Sequence, residues 1–338
     1  MAIRFATQID DVMFTSALKM ITIKCDTETS VAFTIKQGTT EIFSNTYTPD
    51  ASGYVYVWDI HTLLNNAIEE VHDSFSFVVA NQTVTFVAVR CNILIDKSAK
   101  DFVNSHFLSP CFHSRTTAQY RREMVNILAL EEVAVTATAA YYKDEVLSTE
   151  TIALQSVSGF ATIDVSPSLF IAPQKGKLVS YTITAGERNQ TYTMQSHNPD
   201  AVGVAYRNAF NVYDTFYFNG MLASEWEHTR STAVVGGRLS VYDIKSIQLF
   251  KANTGPIPYG CEVLPYELCR SREVALLNAD GRITDDIIIT DADIKADNAP
   301  DTINDFVITY RIADQIGYKI NTPKSVKLFD DTFDGSFN

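Results

Sequence analysis

Apolar and polar residues alternate with a period of two along much of this 338-residue chain, the spacing of strands with one buried face. The longest such run is 208–218, where Phe210, Val212, Phe216 and Phe218 fall on one face and Tyr213, Thr215 and Tyr217 on the other. Asn219-Gly220 then turns the chain, and a second strand runs through Trp226. Gly236-Gly237 permits another reversal, and 239–251 reads as a third strand ending at Asn253-Thr254-Gly255-Pro256. Pro265 is placed to start a short helix through Arg270, followed by strands at 273–277, 286–290 and 305–312.

The same rhythm organises the first 94 residues, with strands expected at 19–25, 31–35, 41–47, 54–58, 75–80 and 83–89. Between the fourth and fifth, Asp59 is placed to cap a helix whose Ile60, Leu63, Leu64, Ala67, Ile68 and Val71 recur at helical spacing. Residues 95–130 break the rhythm and read as a connector, its Arg115, Arg121 and Arg122 expected to pair with carboxylates of this chain or of a neighbouring subunit. From 132 onward the first module returns. Gly53 and Gly159 each precede a strand 106 residues apart, and Asn81-Gln82-Thr83 and Asn189-Gln190-Thr191 lie 108 apart, which points to a duplication. In the second copy Ser166-Pro167 predicts a single helical turn in place of the longer helix. The fold class expected is all-β: a β-sandwich module at 1–94, a connector and second module at 95–200, and a β-rich module with a short helix at 201–338, whose tail from Pro323 has little to bury.

Composition narrows the function. With 46% hydrophobic and 20% charged residues the chain is globular, and its net charge of −13 argues against nucleic acid or an anionic membrane as a partner. The first ten residues lack the basic and apolar regions of a signal peptide, and no apolar run is long enough to insert in a membrane as a helix. Cys25, Cys91, Cys111, Cys261 and Cys269 are an odd set without a C-x-x-C pair, as expected of buried thiols in a reducing compartment.

Candidate chemistry is sparse. Asp291, Asp293 and Asp297 alternate as calcium ligands can, but Lys295, Ala296 and Thr302 stand where an EF-hand loop needs a ligand, a glycine and a glutamate. His106, Cys111 and His113 do not have a zinc-ligand spacing, so neither a metal nor another cofactor is expected. Ser16-Ala17-Leu18-Lys19 matches S-x-x-K by count only, without its companion motifs. G-x-S-x-G, G-x-G-x-x-G and P-loop patterns are absent, and no catalytic residue is nominated. Glu225 and Glu227 share a strand face at a glycosidase-like separation, yet read as exposed residues flanking an inward Trp226. A sugar platform on Trp226, Trp58 or exposed tyrosines is the alternative.

Three stretches, 101–109, Phe216-Tyr217-Phe218-Asn219-Gly220, and Leu264-Pro265-Tyr266-Glu267-Leu268-Cys269-Arg270-Ser271 with the strand after it, together resemble structural proteins of long-tailed bacteriophage and prophage tails, of the distal-tail or baseplate kind. The resemblance implies β-rich domains, no catalysis, and function in the virion through self-assembly, as a ring, and contact with other tail proteins. Such a protein is made in the bacterial cytoplasm. Aromatics on both faces of 208–218 nominate Tyr213, Tyr217 and, on the next strand, Trp226 as interface residues. The runner-up is a carbohydrate-binding or adhesin-like surface protein.

Overall fold

The computed structural model describes residues 3–26, 30–294 and 304–314. The fold is all-β, with three short α-helices. The first repeat contains β1 (Arg4–Phe5), β2 (Val12–Phe14), β3 (Met20–Lys24), β4 (Val31–Gln37), β5 (Thr40–Tyr47), β6 (Tyr54–Trp58), helix α1 (Ile60–Ala67), β7 (His72–Val79) and β8 (Gln82–Val89). A small sheet, β1-β3-β6, faces a larger one ordered β2-β8-β7-β4-β5. Ile21, Ile23, Val55 and Val57 from the small sheet meet Phe33, Phe75, Phe77 and Phe86 from the large one in a single core. The outer positions of β6, Tyr54, Tyr56 and Trp58, alternate with the buried Val55 and Val57, as a one-sided strand requires.

Helix α2 (Ala99–Ser105) leads into the second repeat: β9 (Arg115–Thr117), β10 (Met124–Lys143), β11 (Val146–Asp164), β12 (Lys177–Ala185) and β13 (Arg188–Met194). Its large sheet is ordered β9-β13-β12-β10-β11. That is the order of the first repeat strand for strand, including a parallel pairing of the first strand with the last, β2 with β8 and β9 with β13. The strands β3 and β4 of the first repeat become one continuous β10, and β5 and β6 become one β11. Both bend between the Ala129–Gly159 and Val133–Val157 pairs, where the register shifts. Gly53 (φ +75°) and Gly159 (φ +79°) therefore stand at matching points in the same left-handed conformation. Gly53 lies in a turn, whereas Gly159 lies inside a continuous strand, so the expected pair of equivalent turns is a turn in one copy and a kink in the other. The Asn81 and Asn189 triplets lie in equivalent hairpins but two positions out of register: Asn81 sits in the corner joining β7 to β8, whereas Asn189 lies past the corner joining β12 to β13 and pairs with Thr184. The predicted single helical turn is present as a 3-10 turn over Pro167–Leu169.

The third region comprises β14 (Val202–Arg207), β15 (Tyr213–Phe218), β16 (Leu222–Val235), β17 (Arg238–Asn253), α3 (Val263–Arg270), β18 (Val274–Leu277), β19 (Ile283–Asp293) and β20 (Val307–Ile312). They form one antiparallel sheet, β15-β14-β18-β19-β20-β17-β16. A bridging core, with Phe14, Val89, Phe102, Val103, Leu108, Leu128, Phe210 and Val212, joins all three regions.

Several expectations are corrected here. Residues 95–130 are not a bare connector: they supply α2, β9 and the first part of β10, and most of the bridging core packs on them. The strand read at 208–218 begins only at Tyr213, because Asn211 adopts a left-handed φ of +61° and 208–211 close a turn. Phe210 and Val212 thereby leave the strand and fill the bridging core. Asp59 precedes α1 in a left-handed conformation and its side chain makes no capping bond, while α3 starts two residues before Pro265. Residues 295–303, with Lys295, Ala296, Asp297 and Thr302, and the tail from Pro323 lie outside the described residues.

Candidate functional site

The most developed polar constellation lies where β9 meets β15. Arg115 opens β9, whose parallel pairing with Tyr192 on β13 carries its guanidinium under the third sheet. There Nη1 and Nη2 donate to Asp214 Oδ1 and Oδ2 at 2.7 and 2.9 Å, and Nη2 also donates to Ser109 Oγ at 2.5 Å. The two side chains are only 6% and 3% exposed, so the bidentate pair is held in a region of low dielectric. Beside it, Glu123 accepts from Thr117 Oγ1 at 2.8 Å and from Thr215 Oγ1 at 3.4 Å. Burial pushes the Glu123 carboxyl up to about 7, against the pull of Thr117, Arg115 and Arg121. The adjoining cavity has a volume of only about 40 Å³. With the Arg115 Nη groups, Asp214 and Glu123 committed to partners within the chain and only Arg115 Nε left without one, this constellation sews the second repeat to the third region and gives a substrate no room.

The nominated tyrosines belong to the same seam. Tyr213 stacks with the Arg207 guanidinium, 4.4 Å from the ring centre, and its hydroxyl donates to Glu273 at 3.2 Å. Tyr217 lies over Gly203, where a Cβ would come within 2.7 Å of the ring, and under the Arg121 guanidinium. Its hydroxyl accepts from the Arg122 backbone N–H at 2.6 Å. Both strand faces are thus covered by this chain itself, and the two tyrosines are contacts within one subunit. Arg115 and Arg122 pair with Asp214 and Asp164 of the same chain, while Arg121 donates to Asn219. Trp226 does not point into the core: it is 40% exposed and lies parallel to His228, and Glu225 is paired with Lys251 at 2.9 Å.

His106 is stacked on Phe102 and hydrogen-bonded to Ser105, and His113 abuts Tyr259, so Cys111 is not gathered with them. Its neighbour is Cys261. Asp291 and Asp293 lie on β19. Among the described residues no three His, Cys, Asp or Glu side chains converge as a metal site needs.

Two surface features complete the candidates. The first is the ribbon of β16 and β17, which ends the third sheet. Its register puts Leu222, Trp226, Val234, Leu239, Val241 and Ile244, all 40% exposed or more, on one face together with His228 and Arg230, while the opposite face carries Glu225, Glu227, Asp243, Lys245 and Lys251 with the exposed Val235. The second is the stripe on β6, with Tyr56 and Trp58 at 43% and 66% exposure and Tyr54 under the Lys24 ammonium. A cleft of about 900 Å³ also opens between the repeats and the third sheet. Its Arg122 and Arg207 are already paired, with Asp164 and Glu273.

Arg115 pairs with a carboxylate of this chain as expected, but sequence reasoning missed its partner Asp214, Glu123 and the Cys111–Cys261 pair, since each depends on residues about 90 to 150 positions apart. The available signal was Asp214 itself, a carboxylate amid a strand of aromatics, which demands a buried partner.

No known protein family matches the chain, and no curated protein does. Among solved structures, a calcium-stabilised adhesin with which an Antarctic bacterium reaches out and binds ice is 12% identical, over 84% of this chain and 71% of that one, with a TM-score of 0.17. At that score the likeness carries no argument. Among the described residues no helix is long and apolar enough to cross a membrane.

Proposed function

We propose that this chain is a non-enzymatic structural and assembly protein, a distal-tail or baseplate-like component of a bacteriophage or prophage tail that works in the virion through contacts with other tail proteins. The observation that supports this reading is the amphipathic ribbon. A two-stranded ribbon is marginally stable by itself, and six large apolar side chains on one face give this one a surface that gains from being covered. Among the described residues β16 is the last strand of its sheet, the kind of edge on which a partner strand can add.

The test is co-expression with the products of the neighbouring genes, followed by light scattering. Wild type is expected to form a defined complex with a tail protein. A variant with 229–245 replaced by a two-residue turn is expected to keep its melting temperature and lose the complex. A gene neighbourhood without tail genes, or a complex indifferent to the ribbon, refutes the reading.

The stripe on β6 favours a second reading, a carbohydrate-binding or adhesin-like surface protein, because exposed aromatics such as Tyr56 and Trp58 stack on sugar rings. Saccharide-dependent quenching of tryptophan fluorescence, abolished by Trp58→Ala, would favour it over the first.

A further inference from the structure

We infer that Cys111 and Cys261 are a latent cross-link, closed by thiol–disulfide exchange when the chain meets an oxidising medium. The sequence offers no pairing among its five cysteines, yet the fold brings these two together from positions 150 residues apart, with Sγ atoms 3.5 Å from each other. The contact is built from both sides. Cys111 follows Ser109-Pro110, and its N–H is held by Ser109 Oγ at 3.2 Å, the hydroxyl that also receives Arg115. Cys261 ends the loop before α3, its N–H bonded to the Pro258 carbonyl at 3.0 Å and its Sγ 3.3 Å from the Ser114 carbonyl. Gly260 lets that loop lie against the His113 ring, where any Cβ would collide with the imidazole. Leu264 closes the small core around the two sulfurs. Closing the bond needs an approach of about 1.5 Å, since a disulfide is ~2.0 Å long.

The two thiols are not equivalent. The contact with Cys261 and the Arg115 charge lower Cys111 in spite of burial, whereas Cys261 is held above its ordinary value by that same contact and by burial. Cys111 is therefore the attacking thiolate and Cys261 the resolving thiol. With glutathione disulfide as oxidant, Cys111 Sγ bonds to one glutathione sulfur and releases the other as a thiolate. Cys261 then attacks Cys111 Sγ, forming the protein disulfide and expelling the second glutathione. Two protein thiols are oxidised, one small disulfide is reduced, and the two protein protons end on the released thiols. Both cysteines are buried, so the oxidant enters when the 255–260 loop opens, and Tyr259 on that loop is 83% exposed. In a reducing cytoplasm the pair stays open, and outside the cell it closes. The inference does not depend on the proposed function.

The whole chain, purified in reductant, is exchanged into glutathione disulfide, then unfolded without reductant and alkylated. Wild type is expected to lose two reactive thiols, to yield a peptide linking Cys111 to Cys261, and to melt roughly 5–15 °C higher, reversibly with dithiothreitol. Cys111→Ser and Cys261→Ser are expected to melt as reduced wild type does and to show no rise. Two thiols still alkylatable in wild type, a lasting glutathione adduct on Cys111 without the cross-link, or an equal rise in the serine variants would each overturn the inference.

Discussion

The two repeats share strand order, strand direction and a left-handed glycine at the same point, yet the strand face that follows this glycine is used differently in each. In the first, Tyr54, Tyr56 and Trp58 form that face and Trp58 is 66% exposed. In the second the corresponding strand positions hold Phe160, Thr162 and Asp164, of which Phe160 packs on the bridging core while Thr162 stays exposed. Thr162 donates to Asn126 Oδ1 at 2.7 Å, Asn126 donates to the Tyr213 carbonyl at 2.8 Å, and Asp164 takes Arg122. The first strands differ too: by register Val12 corresponds to Thr116, and the second repeat buries Arg115 at the position where the first has the exposed Asp11. One scaffold thus serves as a terminal module or as a hub, and the change lies in a few side chains that demand a partner from the third region.

The largest expected effect comes from Arg115. Arg115→Ala leaves Asp214 buried without its counter-charge and is expected to cost about 3–5 kcal/mol in denaturant unfolding. Replacing the pair by two apolar residues, Arg115→Val and Asp214→Val together, is expected to recover most of that loss. A double variant no better than the single would show that the ion pair does more than satisfy itself.

Glu123 provides the next test, because its counterpart before β3 is the exposed Lys19. A carboxyl raised from 4.5 to about 7 by folding holds its proton in the native state after the unfolded chain has released it. Stability from this group is full below pH 4.5, falls as pH rises towards 7, and is flat above. Glu123→Gln is expected to flatten that slope and to gain up to about 3 kcal/mol over wild type at pH 8. Urea titrations across pH measure it, and parallel slopes for the two proteins would contradict the assignment.

The glycines separate turn from kink. Gly53→Ala places a Cβ 2.5 Å from the Cys25 carbonyl oxygen and is expected to cost more than about 2 kcal/mol. Gly159→Ala meets nothing within 4 Å and carries only the left-handed strain, about 1 kcal/mol. Equal midpoints for the two variants would mean that their surroundings are alike after all. The smallest effect is expected from Trp58→Ser, within about 0.5 kcal/mol, against a clear loss for Phe160→Ala, which packs in the bridging core.

Alternation made most strands of the first repeat legible, because β4, β6 and β7 each bury one face against a single core. The second repeat was harder to read. β10 carries Ala129, Ala134, Ala137, Ala139 and Ala140, which have little strand preference, and Glu131-Glu132 fall at its bend, where they resemble a loop. Residues 208–218 failed in the other direction: the strand is present only from Tyr213 on, because a left-handed Asn211 turns the chain before it, and periodicity does not register that. The seam and the cysteine pair were invisible for a different reason. They are contacts between elements, set by how three regions dock, and no local pattern encodes which carboxylate will lie above which arginine.

The parallel pairing of first strand with last has a consequence for synthesis. Val12 cannot find Val87, nor Arg115 find Tyr192, until nearly a whole repeat has left the ribosome. The hairpins of β4 with β5 and of β10 with β11 are free to form early, whereas each sheet is completed by the strand translated last. A nascent chain paused before β8 or β13 would therefore hold an unfilled slot for one strand, open to capture by the matching strand of another copy.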